Sequence, residues 1–225
     1  MSNKLIKDYL PVIRSNSLFE KFSDTEILTI LPCVEGTTGS FKSGDPVILA
    51  GDIVKKIGIV LDGELSIIEY DINGNKNLIS KLKPGDVFAE AMVVLGAESK
   101  IAVEADSPST VLFLSYHKII TSCSNACEFH TRLINNLKKT LAAKLYNMQT
   151  KLAILHKNPI RTKLETFFEI CARENKSNTF TMPLNKSELA EYIGVNRSAM
   201  HRELKNMEEE SLIEINGKEV TYMPQ

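Results

Sequence analysis

Residues 125 to 156 contain neither glycine nor proline, while the stretch before them is punctuated by both. Within this run Ile134, Leu141, Met148 and Leu155 recur at intervals of seven. Leu145 and Leu152 fill the complementary positions, and Lys138 is the one polar interruption. A sustained repeat of that period predicts a long helix with a narrow apolar seam. A lone surface helix needs no such seam. Either the chain's own preceding domain covers it or a second copy of the helix does. The second is the expectation, giving a twofold homodimer through Ile134, Leu141, Leu145, Met148, Leu152 and Leu155.

The helix separates two different textures. Residues 18 to 115 are broken by turn signals: Ser43-Gly44-Asp45, Ala50-Gly51-Asp52, Asp62-Gly63, Asn73-Gly74 and Pro84-Gly85-Asp86. Between them lie β-rich runs, "KIGIVL", "LSIIEY", "NLISKL" and "TVLFL", some alternating as Ile57, Ile59 and Leu61 do. Short strands at such spacing predict an antiparallel, jelly-roll-like β-roll. The Asp-Gly and Asn-Gly pairs suit tight hairpins in which both central residues have positive φ.

Asn158-Pro159 breaks the long helix and marks a boundary or hinge. Beyond it, residues 160 to 173 read as an amphipathic helix with Ile160, Leu164, Phe167, Phe168 and Cys171 on its apolar side, and residues 179 to 183 as a short strand. Asn185 caps a helix, with Glu188 in capping-box spacing and Leu189, Ala190 and Ile193 inward. Gly194 ends that helix. Asn196 caps a second helix of about 13 residues, whose buried positions are Met200, Leu204 and Met207. A hairpin follows across Asn216-Gly217. Helix, glycine turn, helix and hairpin make a winged helix-turn-helix. The fold class is therefore α+β. Residues 1–124 are expected to form the roll, 125–157 a dimerisation helix and hinge, and 158–225 a DNA-binding domain.

The formal net charge is only -1, so any nucleic-acid partner must be met by a local patch. Asn196, Arg197, Ser198, His201, Arg202 and Lys205 supply one at helical spacing, away from Leu204. An Arg fork matches the O6 and N7 acceptors of guanine, and Lys or Arg also meets phosphate. Glu208, Glu209 and Glu210 fall at the far end of the same helix, where they oppose its dipole. No apolar run is long enough to span a membrane, and the charged, proline-broken N-terminus is no signal peptide. A cytoplasmic protein is expected, with Cys33, Cys123, Cys127 and Cys171 as free thiols. Cys123 and Cys127 are one turn apart, a spacing open to a metal or a disulfide in principle. Two small buried thiols are the simpler reading.

These parts, in this order, resemble the Crp/Fnr family of bacterial transcription regulators over nearly the whole chain. The glycines of "FKSGDPVILAGD", "LDGELSIIEYD" and "LKPGDVFAE" stand where that family's cyclic-nucleotide-binding roll has turn glycines. The strongest match is "LNKSELAEYIGVNRSAMHRELKNMEEESLI". The resemblance implies a cytoplasmic homodimer that binds a palindromic operator in double-stranded DNA and answers to a small-molecule effector. RNA polymerase is then a candidate partner.

The chain departs from the family where ligands are held. Relatives that bind cAMP carry a Gly-Glu-Leu and then an Arg-Ser pair on the cyclic phosphate. Here the matching stretches read "AEAM" and "ESKIAVEA". Glu90 is retained, while Ser99 and Lys100 fall where Arg and Ser would be. A Lys attracts an anion without the bidentate fork. Leu145 and Tyr146 fall where relatives hydrogen-bond the base. The effector pocket, if lined by Glu90, Ser99, Lys100, Leu145 and Tyr146, is therefore not expected to take cAMP. An effector-independent regulator of the same fold is the alternative.

No cofactor or metal is expected. Cluster-bearing relatives have N-terminal cysteines, whereas this chain has none before Cys33. A haem would need an axial ligand such as His117 or His130, which nothing nearby supports. In the reading helix Ser198 occupies the position of a cytosine-reading Glu. His201-Arg202 stands where a Ser-Arg pair reads bases in another subgroup, so no half-site can be carried over. An enzyme is not expected: no His precedes His117, which leaves a cupin-like roll without imidazole ligands, and no nucleophile elbow or phosphate loop is present.

Overall fold

The computed structural model describes residues 3–121 and 128–224. Cys123 and Cys127 lie outside the described residues, and the question of their pairing lies there too. The chain divides into two compact units, Met1–Ala143 and Lys144–Gln225.

The first unit opens with helices α1 (Asn3–Asp8), α2 (Leu10–Ser15) and α3 (Asp24–Cys33), with a 3-10 turn at Ser17–Phe19. The sequence signals name no helix in this segment, and the structure supplies three. Pro11 sits at the start of α2, where no N–H is needed, and Pro32 falls in the last turn of α3. Ser23 caps α3 in a reciprocal capping box with Glu26.

Eight strands follow: β1 (Thr37–Phe41), β2 (Pro46–Ile48), β3 (Lys56–Asp62), β4 (Leu65–Tyr70), β5 (Lys76–Leu82), β6 (Val87–Phe88), β7 (Ala102–Ala105) and β8 (Ser109–Ser115). Helix α4 (Glu90–Leu95) lies between β6 and β7, and α5 (Tyr116–Ile120) follows β8. The strands form two antiparallel four-stranded sheets, ordered β1-β8-β3-β6 and β2-β7-β4-β5. Three of the glycine signals close the same kind of turn. Asp45, Asp52 and Asp86 each accept the backbone N–H of the residue three before, at 2.7–2.9 Å, and each donates its own N–H back to that residue's carbonyl. Gly44, Gly51 and Gly85 supply the positive φ between.

Strands β3 and β8 are covered on both faces. Ile57, Ile59 and Leu61, with Leu112 and Leu114, join a cluster with the N-terminal helices. Val60 and Val111 face the other way, into a cluster shared by both sheets with Ile48, Leu65, Leu82, Phe88 and Val103. The alternation of Ile57, Ile59 and Leu61 thus reports one face of a strand whose other face is buried too. Gly58 lies on that second face. A Cβ there would stand 2.2 Å from Phe88 Cζ, so the Phe88 ring packs directly on the backbone at that point.

The expected hairpins differ in two respects. Asp62-Gly63 closes none, because β3 and β4 lie in different sheets and the turn carries the chain between them. The turn geometry is also not the one expected. Gly63, Gly74 and Gly217 have positive φ, and Asp62, Asn73 and Asn216 do not. Asn216 pairs with Glu219, leaving Gly217-Lys218 as the two-residue loop. Glycine at the first central position is the pattern of a II′ turn, which asks for only one positive φ at that end.

Helix α6 (Glu128–Leu155) contributes to both units. Its first half packs on the roll's own helices through Leu133 and Leu137, each worth about 1.5–3 kcal/mol of burial. Polar links fix the register there. Asn136 Nδ2 donates to the carbonyls of Leu18 and Glu20 at 3.0 Å, and the hydroxyls of Thr140 and Ser17 meet at 2.8 Å. Arg132 reaches Glu26 and Glu128, both at 3.0 Å. Ile134 and Leu141 are half-buried against the same cluster. The exposed apolar residues gather further on: Leu145 is 58% exposed, Met148 64% and Leu152 51%. The chain itself covers much of the first half, and in the second half the heptad residues before Ile154 are bare.

The second unit holds the end of α6, then α7 (Ile160–Asn175), β9 (Thr179–Thr181), α8 (Lys186–Tyr192), α9 (Arg197–Glu209), β10 (Ile213–Asn216) and β11 (Glu219–Tyr222). The three strands form a sheet ordered β10-β11-β9. β9 is shorter than expected and stops before Pro183. The core joins Ile154 of α6 to Leu164, Phe167, Phe168 and Cys171 of α7, Leu189 and Ile193, and Met200, Leu204 and Met207 of α9. The helix break expected at Asn158-Pro159 is present, but it falls inside this unit, because Ile154 before it already belongs to the same core. Among the described residues no helix is long and apolar enough to cross a membrane.

Candidate nucleic-acid interface

The turn between α8 and α9 is built from backbone hydrogen bonds. Asn185 caps α8, accepting from Ser187 and Glu188, and Glu188 returns a bond to the Asn185 N–H. At the other end Val195 N–H donates to Ala190 and Gly194 N–H to Glu191, a Schellman closure with Gly194 at φ +64. Asn196 caps α9, accepting from Ser198 and Ala199. The Asn196 oxygen is therefore spent on the helix start, and it differs in this from the other five residues of the patch.

Arg197, Ser198, Arg202 and Lys205 are exposed along α9, while His201 is half-buried. At about 100° per residue, Ser198, Arg202 and Lys205 occupy the side opposite Met200, Leu204 and Met207. Arg197 lies nearer the Leu204 side and is exposed because it stands in the first turn. Lys205 pairs with Glu209 at 3.4 Å, an exposed pair of little energetic weight that a stronger anion can displace. The acids at the end of α9 are not the plain dipole cost expected of them. Glu209 has Lys205, and Glu210 holds a two-pronged pair with Arg161. That pair holds the Glu210 carboxyl below its ordinary pKa, because the guanidinium donates to it directly.

Two side chains that shape this region escaped the sequence reading. Lys163 of α7 is buried and donates Nζ to the Ile193 carbonyl at 2.9 Å, satisfying an open carbonyl at the end of α8. Arg161 donates Nε to Glu203 at 2.6 Å. Their partners lie 30 to 49 residues away, so no local pattern announces them. Burial pushes the Cys171 thiol up to about 11, which makes it an inert core residue. Cys33 is exposed.

In the first unit, Glu90 is buried in the first turn of α4, behind Ala89 at φ +67. Ala89 stands where cAMP-binding relatives have glycine and holds a left-handed backbone that costs a side-chain-bearing residue about 1–3 kcal/mol. Ser99 is buried, and its hydroxyl donates to the Ile101 carbonyl at 2.6 Å while accepting the Ile101 N–H. Its proton is spent on its own loop and is not offered to a phosphate. Lys100 is exposed. Leu145 and Tyr146 belong to the second unit, and both are more than half exposed. Among the described residues, nothing partners Nδ1 of the buried His130, and His117 is exposed. Among the described residues no group of three or more His, Cys, Asp or Glu is disposed to hold a metal ion.

Two family models match, one in each unit. Residues 38–125 fit a cyclic nucleotide-binding domain, and residues 163–223 a Crp-like helix-turn-helix domain. A probable transcriptional regulator, flp, of Lacticaseibacillus casei is 24% identical over 79% of this chain and 79% of its own. A cAMP-activated global transcriptional regulator of Pasteurella multocida is 21% identical over 80% and 87%. Among solved structures, the catabolite activator protein of Thermus thermophilus superposes with a TM-score of 0.54 at 19% identity, covering 92% of this chain and 94% of that one. That likeness speaks for the fold, with its antiparallel roll, long helix and winged helix-turn-helix in the same order. With a roll of that kind in one unit and a glycine-turned, doubly capped helix pair in the other, the chain belongs to the Crp/Fnr family of DNA-binding transcription regulators.

Proposed function

We propose that the protein is a cytoplasmic homodimer that reads a palindromic operator with the exposed arc of α9 and addresses RNA polymerase from there. The observation that carries this reading is the arc itself. Arg197, Ser198, Arg202 and Lys205 stand free of the core on a helix whose start, turn and buried side are each accounted for by other residues. A helix so presented suits a major groove, with Arg202 placed to meet a base edge and Lys205 a phosphate. The bare apolar seam at Leu145, Met148 and Leu152 supports pairing with a second copy. Two copies would set half-sites about one helical turn apart.

The roll retains the family's scaffold without its phosphate-binding chemistry. The Arg fork is absent, the Ser99 proton is spent, and the Phe88 ring packs directly on the backbone at Gly58. These residues do not fit a cyclic nucleotide, so the effector is of another kind. The same observations favour a second reading, a regulator of this fold that needs no effector. Operator affinity measured with and without a metabolite extract separates the two.

Selection of bound duplexes from a random pool tests the main reading, since it must return an inverted repeat. On that operator Arg202→Ala should cost about 1–3 kcal/mol and relax the preference at one position per half-site. Unchanged affinity and unchanged preference remove Arg202 from the readout.

A further inference from the structure

Helix α9 meets the rest of its unit mainly through Met200, Leu204 and Met207. Apolar contact of this kind is non-directional. It sets the depth of a helix, and a directional contact adds a further restraint on its rotation and sliding. A directional link joins the same helix to α7. Arg161 donates Nε to Glu203 at 2.6 Å and both terminal nitrogens to the two oxygens of Glu210, at 2.5 and 2.7 Å. Glu203 and Glu210 lie two turns apart on one side of α9. That side is about 80° or more around the axis from Ser198, Arg202 and Lys205.

We propose that Arg161 is a positioning residue for DNA reading. Its planar fork on two carboxylates fixes the rotation and axial setting of α9, and with them the direction in which Ser198, Arg202 and Lys205 leave the protein. This rests on the reading of α9 as the groove-entering helix. A guanidinium suits the task because its donors are coplanar and pre-organised, whereas an ammonium has no fixed direction. The link is one of setting rather than of holding the fold. The three side chains are partly exposed, at 31%, 22% and 48%, and surface pairs of that kind stabilise little. Glu165, one turn along α7, lines the same 310 Å³ cleft as Arg161 and Glu210. An unclamped Arg161 therefore keeps a carboxylate within its own helix, and the core is untouched.

Charge gives the test its sign. Glu203→Gln with Glu210→Gln removes two negative charges from a DNA-binding unit, so simple electrostatics tightens binding to every duplex. Loss of positioning weakens binding to the operator alone. The full-length protein, this double variant and Arg161→Lys are titrated by fluorescence anisotropy below their melting transitions. The probes are an operator selected with the wild-type protein and a scrambled duplex of equal length. The expected result is a loss of about five- to twentyfold on the operator for both variants. The scrambled duplex should bind the lysine variant as it binds the wild type and the double variant more tightly. Operator binding by the double variant as tight as wild type, or tighter, overturns the proposal. So does an Arg161→Lys variant indistinguishable from wild type on the operator. A wild-type protein with no preference among duplexes sinks the reading of α9 itself, whereas preference shared equally by all three proteins sinks only the clamp.

Discussion

The two units use similar local devices to different ends. In the DNA-binding unit, Asn185 and Asn196 are spent on the backbone of α8 and α9, and the cationic side chains beside them are left exposed. In the roll, two of the residues at the family's ligand positions are turned inward, and Lys100 is exposed. Ser99 bonds its own loop, Glu90 is buried, and Phe88 closes on Gly58. A polar side chain committed to its own backbone holds a shape, and an exposed one remains available to a partner. By that criterion the second unit offers more cationic side chains to an external partner than the first does at Glu90 and Ser99.

The largest test of this contrast lies on the seam. Leu145→Asp with Leu152→Asp places charge on residues already exposed in the single chain, so the monomer should fold. Loss of the second half-site should lower operator affinity by on the order of 10²–10⁴-fold, read beside sedimentation of the variant as a monomer. A double variant that still sediments as a dimer moves the interface elsewhere. Next in size is Gly58→Ala. Its Cβ would meet the Phe88 ring and should cost about 1–3 kcal/mol in denaturant unfolding, with operator affinity unchanged. Unaltered stability would mean that the roll interior has room to spare, and the contrast between the units would weaken.

A smaller effect is expected at Ala89. Replacing it with glycine relieves the left-handed backbone, offset in part by a more flexible unfolded chain, for a net gain of about 0.5–1 kcal/mol. A loss of stability would show that the methyl group packs better than the backbone suffers. The smallest effect is a null. Cyclic AMP at about 1 mM should shift the melting temperature by less than about 1 °C, since a ligand that does not bind the native state cannot stabilise it. A larger shift would restore a nucleotide pocket to the roll.

Legibility followed the range of the interactions. The helix-turn-helix could be read because each signal acts within a few residues: Asn185 on Glu188, Gly194 on the carbonyls of α8, Asn196 on Ser198 and Ala199. The Gly-Asp turns of the roll are equally local. The front helices were missed although Ser23 and Glu26 spell a capping box, because each is short and a proline inside a short run weighs against a helix unless its place in the turn is known. The hairpins at Asn73-Gly74 and Asn216-Gly217 were placed well and typed wrongly, and Asp62-Gly63 joins two sheets instead, since the dipeptide marks the bend while pairing on either side decides what the bend connects.

By itself the sequence determined the order of the parts, the strands between glycine turns, the capped helix pair and the cationic arc of α9. All of these follow from periodicity and from hydrogen bonds between near neighbours. Only the tertiary structure decided which half of α6 its own chain covers, that β3 is buried on both faces, and that Arg161 bonds to α9 and Lys163 to the end of α8. Those outcomes depend on partners far apart in the chain, brought together by packing, and no local pattern carries that distance.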